Sequence, residues 1–95
     1  MNSIAIAPRV HSDPQAIERL KTLQLELDGE LEVEVHMRDG SILRGTLPER
    51  PAIQQFLDPD GNEGTNGLFR VDDGDGGMHL YWLDEVERVV RVGSS

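Results

Sequence analysis

No cysteine occurs anywhere in the chain. A disulfide framework, a zinc–cysteine centre and a thiol nucleophile are therefore excluded, and the fold must rest on packing, as suits a reducing cytoplasm. Long apolar runs are missing too. Nothing approaches the roughly 20 apolar residues of a membrane-spanning helix, and residues 1–10 have neither the basic start nor the apolar run of a signal peptide. The sequence thus predicts a cytoplasmic protein. Lysine is scarce, with Lys21 the single example, and Lys plus Arg number 9 against 18 Asp plus Glu, a formal net charge of −9. Such a surface repels a phosphate backbone as a whole, which disfavours unselective binding of RNA or DNA. Aromatic residues are limited to Phe56, Phe69, Tyr81 and Trp82, so the core has to be thin and largely aliphatic.

At 95 residues the chain suits one domain, since two cores of half that size would each be too small to stand alone. Residues 1–11 read as a leader, 12–93 as the domain and 94–95 as a tail. Ser12, Asp13 and Pro14 announce a helix over about 13–28. Asp13 caps it with Pro14 at the first helical position, or Ser12 caps it with Gln15 returning the bond. Ile17, Leu20, Leu23 and Leu27 form the apolar stripe, and Gly29 is the natural stop.

Over 31–38 the pattern changes to strict alternation. Leu31, Val33, Val35 and Met37 take one side and Glu32, Glu34, His36 and Arg38 the other, as in a half-buried strand. Asp39-Gly40 signals a hairpin into a second strand over 41–47. A loop of residues 39–41 pairs Met37 with Leu43, Val35 with Gly45 and Val33 with Leu47, all on one buried face. A loop of 39–40 would turn Arg44 inward, so the former register is expected. Gly45 then sits mid-strand, where a small barrel needs a sharp bend. Pro48 and Pro51 bracket a break, and residues 52–57 fit either a short strand or one helical turn. Residues 58–67, dense in Asp, Asn, Gly and Pro, read as a solvated loop. Strands over about 67–72, 78–83 and 86–92 follow, the first two joined by a turn at 72–77 and the last two by Asp84-Glu85.

The spacing of Val33, Val35, Met37, Gly40, Leu43, Gly45 and Leu47 resembles the first half of the first Sm motif, in which two strands of alternating apolar residues flank one turn glycine and contain a second. The preceding helix, and the run Trp82-Leu83-Asp84-Glu85-Val86-Glu87-Arg88-Val89-Val90, are similar to the helix and the strand-four, turn and strand-five region of Sm-like barrels, the bacterial RNA chaperone Hfq included. The resemblance implies a mainly β fold of the variant Sm-like kind found in small bacterial proteins: one N-terminal helix, then a five-stranded, strongly bent antiparallel sheet or barrel, with an extra segment near 48–66. In the Sm family an aspartate, an apolar residue and an asparagine in the third loop bind a nucleotide; the best local match places Pro51 at the aspartate and Gln55 at the asparagine. The tyrosine-lysine-histidine run of Hfq is matched by Trp82-Leu83-Asp84, which keeps an aromatic and replaces both nitrogen donors. A shorter likeness is to the small acidic antiterminator that binds the terminator Rho, whose late Leu-Asp-x-Ile pattern is matched by Leu83-Asp84-Glu85-Val86.

Asp58-x-Asp60-x-Asn62 is similar to a calcium loop, but Glu63 fills the position that needs glycine and Phe69 that of the bidentate glutamate, so a hydrophilic turn is the better reading. Asp72, Asp73 and Asp75 form an acidic turn of the solvated kind. His36 and His79, both on strands, would bring together two imidazoles if they met on one face, too few for a metal centre. No serine sits in a nucleophile elbow, and no Gly-rich run joins a strand to a helix as phosphate-binding loops do. No catalytic residue, metal site or cofactor is expected.

An interaction module is what remains. Tyr81 and Trp82 alternate on one strand, so one is expected in the core and the other outside, anchoring a partner. Asp72, Asp73 and Asp75 would then steer the encounter with a basic protein. Sm-like barrels often assemble edge to edge through their fourth and fifth strands, and Val89 to Val92 would offer such an edge to other copies of the chain. The alternative is a degenerate RNA binder that uses Arg44, Arg50, Gln55, Arg88 and Arg91, which requires those arginines to cluster.

Overall fold

The computed structural model describes residues 5–28, 32–72, 74 and 78–93, Met78 as backbone only. Of the two caps open to the sequence, Asp13 is the one used: its carboxylate accepts the Ala16 N–H at 3.1 Å. Pro14, with no N–H to satisfy, starts helix α1 (Pro14–Glu26). Leu27 closes the helix, and Gly29 lies outside the described residues. Leu20, Leu23 and Leu27 are buried, because the spacing of three and four residues keeps them on one face.

Six strands follow: β1 (Glu32–Met37), β2 (Ile42–Thr46), β3 (Ala52–Leu57), β4 (Glu63–Asp72), β5 (Met78–Trp82) and β6 (Val86–Gly93), with one 3-10 turn, Leu83–Glu85, between the last two. Every pairing between them is antiparallel. On β4, Leu68 has Ala52 and Trp82 as partners while Asp72 has Thr46 and Met78. One edge of β4 is thus taken by β5, and the other is shared end to end by β2 and β3. Those two strands act as halves of one long, bent strand broken at Pro48 and Pro51. Counted that way the curled sheet has the five-strand plan of the Sm-like fold, and the extra segment supplies the second half of a strand. β1 then joins β2 to β6.

Residues 52–57, open between strand and helix in the sequence, are strand. The loop expected over 58–67 is a correction: only 58–62 turn, and β4 begins at Glu63. Gly64, Thr65, Asn66 and Gly67 read as turn residues, but all four are buried, because the chain packs on both sides of them. The leader pairs with Thr65 through His11 (His11 N–H to Thr65 C=O 2.9 Å, Thr65 N–H to His11 C=O 2.8 Å). A side chain on Gly64 would meet Val10, and one on Gly67 would meet Leu83. The leader also runs parallel to β3 at Ile6 and Leu57, and Ala7 is fully buried.

The β1–β2 register is a second correction. Val35 faces Leu43 and Val33 faces Gly45, a shift of two residues from expectation. The loop is 38–40 rather than 39–41, with Met37 N–H donating to the Ser41 carbonyl at 2.9 Å. Three-residue hairpin loops end on a residue with positive φ, and Gly40 (φ 94°) fills that place. A shift of two preserves the faces, so Val33, Val35, Met37 and Leu47 are buried as expected. They meet Phe69, Val71, Leu83, Val86 and the leucines of α1 in the main core.

Candidate functional site

Tyr81 and Trp82 do point to opposite faces, but neither is outside: both are half-buried. Tyr81 faces inward and stacks at a tilt on Phe69, ring centroids 5.5 Å apart. Trp82 meets Phe56 edge-on at 5.1 Å on the other face, where Phe56 is buried. The expectation of one core and one exposed ring fails because the curled sheet packs on both faces at this end. Tyr81 also lines a groove of about 220 Å³ with Leu43, Val71 and His79. Asp72 caps the turn after β4, accepting the Gly74 N–H at 3.0 Å; Asp73 and Asp75 lie outside the described residues.

The arginines named for RNA contact are dispersed. Arg44 is bonded to Glu34, and Arg50 pairs with Asp28 at 3.4 Å. Arg88 and Arg91 are three apart on β6, opposite His36 and Val33 respectively, and so fall on opposite faces. Gln55 lies mid-strand and donates to the Thr65 hydroxyl at 2.8 Å. Pro51 is buried, with its carbonyl accepting from Gln24 at 2.7 Å. His36 bonds Glu34 at 3.0 Å on the outer face while His79 lines the inward groove, so the two imidazoles do not meet. In the 58–62 turn, Asp58 accepts from the Asp60 N–H at 2.9 Å and from the Asn62 N–H at 2.8 Å; its carboxylate serves the turn itself.

A different cluster is built where no periodicity pointed. Asp84, on the turn before β6, has a side chain only 6% exposed. It accepts Arg9 Nε at 2.9 Å, Arg9 Nη2 at 3.2 Å and His11 Nε2 at 2.9 Å. Arg9 also reaches Glu85 at 3.0 Å, and its carbonyl accepts from the fully buried Asn66 at 2.9 Å. Burial works against a charge on Asp84, but the hydrogen bonds from Arg9 and His11 outweigh it and hold the carboxyl below its ordinary value. The hydrogen bond with Asp84 in turn raises the pKa of Arg9. Asp84 was conspicuous in sequence as an acid in place of a base. Its partners were not, because they sit on a leader with no apolar period. Beside this cluster a cleft of about 260 Å³ opens between the leader, α1 and the 83–85 turn.

Among the described residues no helix is long and apolar enough to cross a membrane. A family model described as a domain of unknown function, DUF3247, matches residues 4–92. Among solved structures the chain is similar to XC5848 from Xanthomonas campestris, whose crystal structure is described as adopting a novel variant of the Sm-like motif. The two share 31% identity and superpose with a TM-score of 0.91 over 96% of this chain and 100% of that one. No curated protein matches.

Proposed function

We propose that this chain, which belongs to the DUF3247 family and has a variant Sm-like fold, is a non-catalytic module that binds protein through the open edges of its sheet. The observation behind this reading is that β5 pairs with β4 alone and β6 with β1 alone. Each has an edge without a strand partner among the described residues, and such edges readily accept a strand from another chain. Edges that are kept single usually carry lysine or proline; β5 (Met78–Trp82) has neither. Leu80 on β5 is 56% exposed and Val92 on β6 43% exposed, which offers apolar contact beside the backbone bonds. The net charge of −9 favours a basic partner and opposes stacking of like copies, so a second copy would have to be held by those apolar contacts.

Light scattering on eluting protein, across concentration and salt, together with capture from lysate, tests this. The expected result is either a mass above the 10.6 kDa monomer or capture of a basic protein. In both cases Leu80→Lys should weaken the association about tenfold, the scale of a modest interface contact. A chain that stays monomeric, and whose captured proteins are indifferent to Leu80→Lys, would end the proposal.

A further inference from the structure

The cleft beside Asp84 divides by chemistry. Ala16, Leu20 and Leu23 of α1 make one wall apolar, and Arg9, Arg19 and Arg38 stand around it. Arg9 is committed to Asp84 and Glu85. Among the described residues, neither Arg19 nor Arg38 is paired with a carboxylate. Arg19 donates from Nη2 to the Glu87 carbonyl, and Arg38 donates from Nε to the Asp84 carbonyl at 3.0 Å. One N–H of each guanidinium is thereby fixed on the backbone of residues 84–87, from α1 on one side and from the end of β1 on the other. The remaining donors of both have no acceptor among the described residues. In a chain with twice as many acids as bases, two oriented guanidinia that line one cleft and have no carboxylate partner among the described residues point to an acceptor supplied from outside.

We propose that this cleft binds a monocarboxylate with a short apolar body, its carboxylate held by Arg19 and Arg38 and its body resting on Ala16, Leu20 and Leu23. The guanidinium fork matches a carboxylate in two parallel hydrogen bonds. A phosphate dianion fits less well, because Asp84 and Glu85 lie close by and the apolar wall cannot replace its hydration. The volume is below the ~300–1,000 Å³ of pockets for drug-sized ligands, so the body is small. The shared chemistry is met by a free acid or by the C-terminal residue of a polypeptide, and the site is independent of the sheet edges.

A nitrogen-15 NMR titration of the whole chain tests the proposal with cyclohexanecarboxylate, cyclohexanecarboxamide, inorganic phosphate, and a tetrapeptide ending in leucine with a free or amidated carboxyl. Saturable shifts of the Ala16, Leu20 and Leu23 amides are expected with the carboxylates. The two amides and phosphate should bind at least about tenfold more weakly, the scale of one charge-assisted hydrogen bond. The double variant Arg19→Gln/Arg38→Gln should lose a similar factor while its dispersed spectrum shows it folded, and Leu80→Lys should change nothing. Tighter binding of the free-carboxyl peptide than of the simple acid assigns the ligand to a chain terminus; the reverse assigns it to a free acid. Absence of saturable shifts, equal binding of the amides or of phosphate, or an unaltered double variant would each overturn it.

Discussion

At Asp84 two opposing effects meet, burial that disfavours the charge and donors that favour it, and the donors win. A folded pKa below the unfolded one fixes the sign of the pH dependence. The contribution is fully present above the ordinary carboxylate value of about 4 and is lost as pH falls through the lower folded value. Asp84→Asn should therefore cost about 1–2 kcal/mol near neutrality, the scale of hydrogen bonds to a charged group, reduced because the Arg9 side chain is 49% exposed. Urea unfolding at a series of pH values checks this: the gap between the two proteins should narrow as pH drops below about 4. A gap that is constant with pH would mean that Asp84 acts through packing rather than charge. The same residue shows how far sequence reaches at this scale. Its acidity was legible as a departure from the Sm-like pattern, whereas Arg9 and His11 lie more than seventy positions away, and only folding brings them to it.

At the scale of elements, the helix and β1 were legible because a single apolar period runs through each and one face is buried. Their partners were partly legible. Burial fixes which face of β2 turns inward, and that face is as expected, but burial alone cannot tell a register from one displaced by two residues. Turn chemistry does that, through the positive φ at Gly40. β4 was hidden for a different reason: its first half is strand because β3 pairs with it from Glu63 to Leu68, while the leader lies against Gly64 and Thr65 and Leu83 sits over Gly67, relations no local pattern contains. Two glycines separate these influences. Gly40→Ala should cost about 1–2 kcal/mol for a left-handed backbone, with Gly40→Asn recovering much of it. At Gly45 an added Cβ would lie 2.3 Å from the Asp72 carbonyl oxygen. Gly45→Ala should therefore cost about 1–3 kcal/mol as an overpacked site does, and Asn there should be worse rather than better. Thermal melts of the four variants decide it; rescue by Asn at both positions would show that conformation, not the approach of β4, governs Gly45.

Over the whole molecule, four of the nine Lys and Arg residues are paired with acids among the described residues. Arg9 pairs with Asp84, Arg44 with Glu34, Arg50 with Asp28 and Arg70 with Glu49. The excess of acids over bases leaves a net negative field around a small curled sheet. Such a field acts over about a Debye length, near 8 Å at physiological salt, and it changes encounter rates more than lifetimes. Two consequences follow for the class of partner. Single-stranded RNA, A-rich or U-rich, should bind no tighter than nonspecific levels of about 10⁻⁴ to 10⁻⁶ M at physiological salt, because Arg88 and Arg91 fall on opposite faces and the other arginines of the set are neutralised. A basic protein captured through β5 should instead associate quickly at low salt, and replacing Asp72, Asp73 and Asp75 by asparagine should slow association while leaving dissociation nearly unchanged. Fluorescence titration measures the first and stopped-flow mixing the second. Submicromolar RNA affinity would mean that the dispersed arginines are gathered by the ligand itself. An association rate indifferent to both salt and the three substitutions would mean that the negative field serves solubility alone and that the edge of β5 selects its partner by shape and apolar contact.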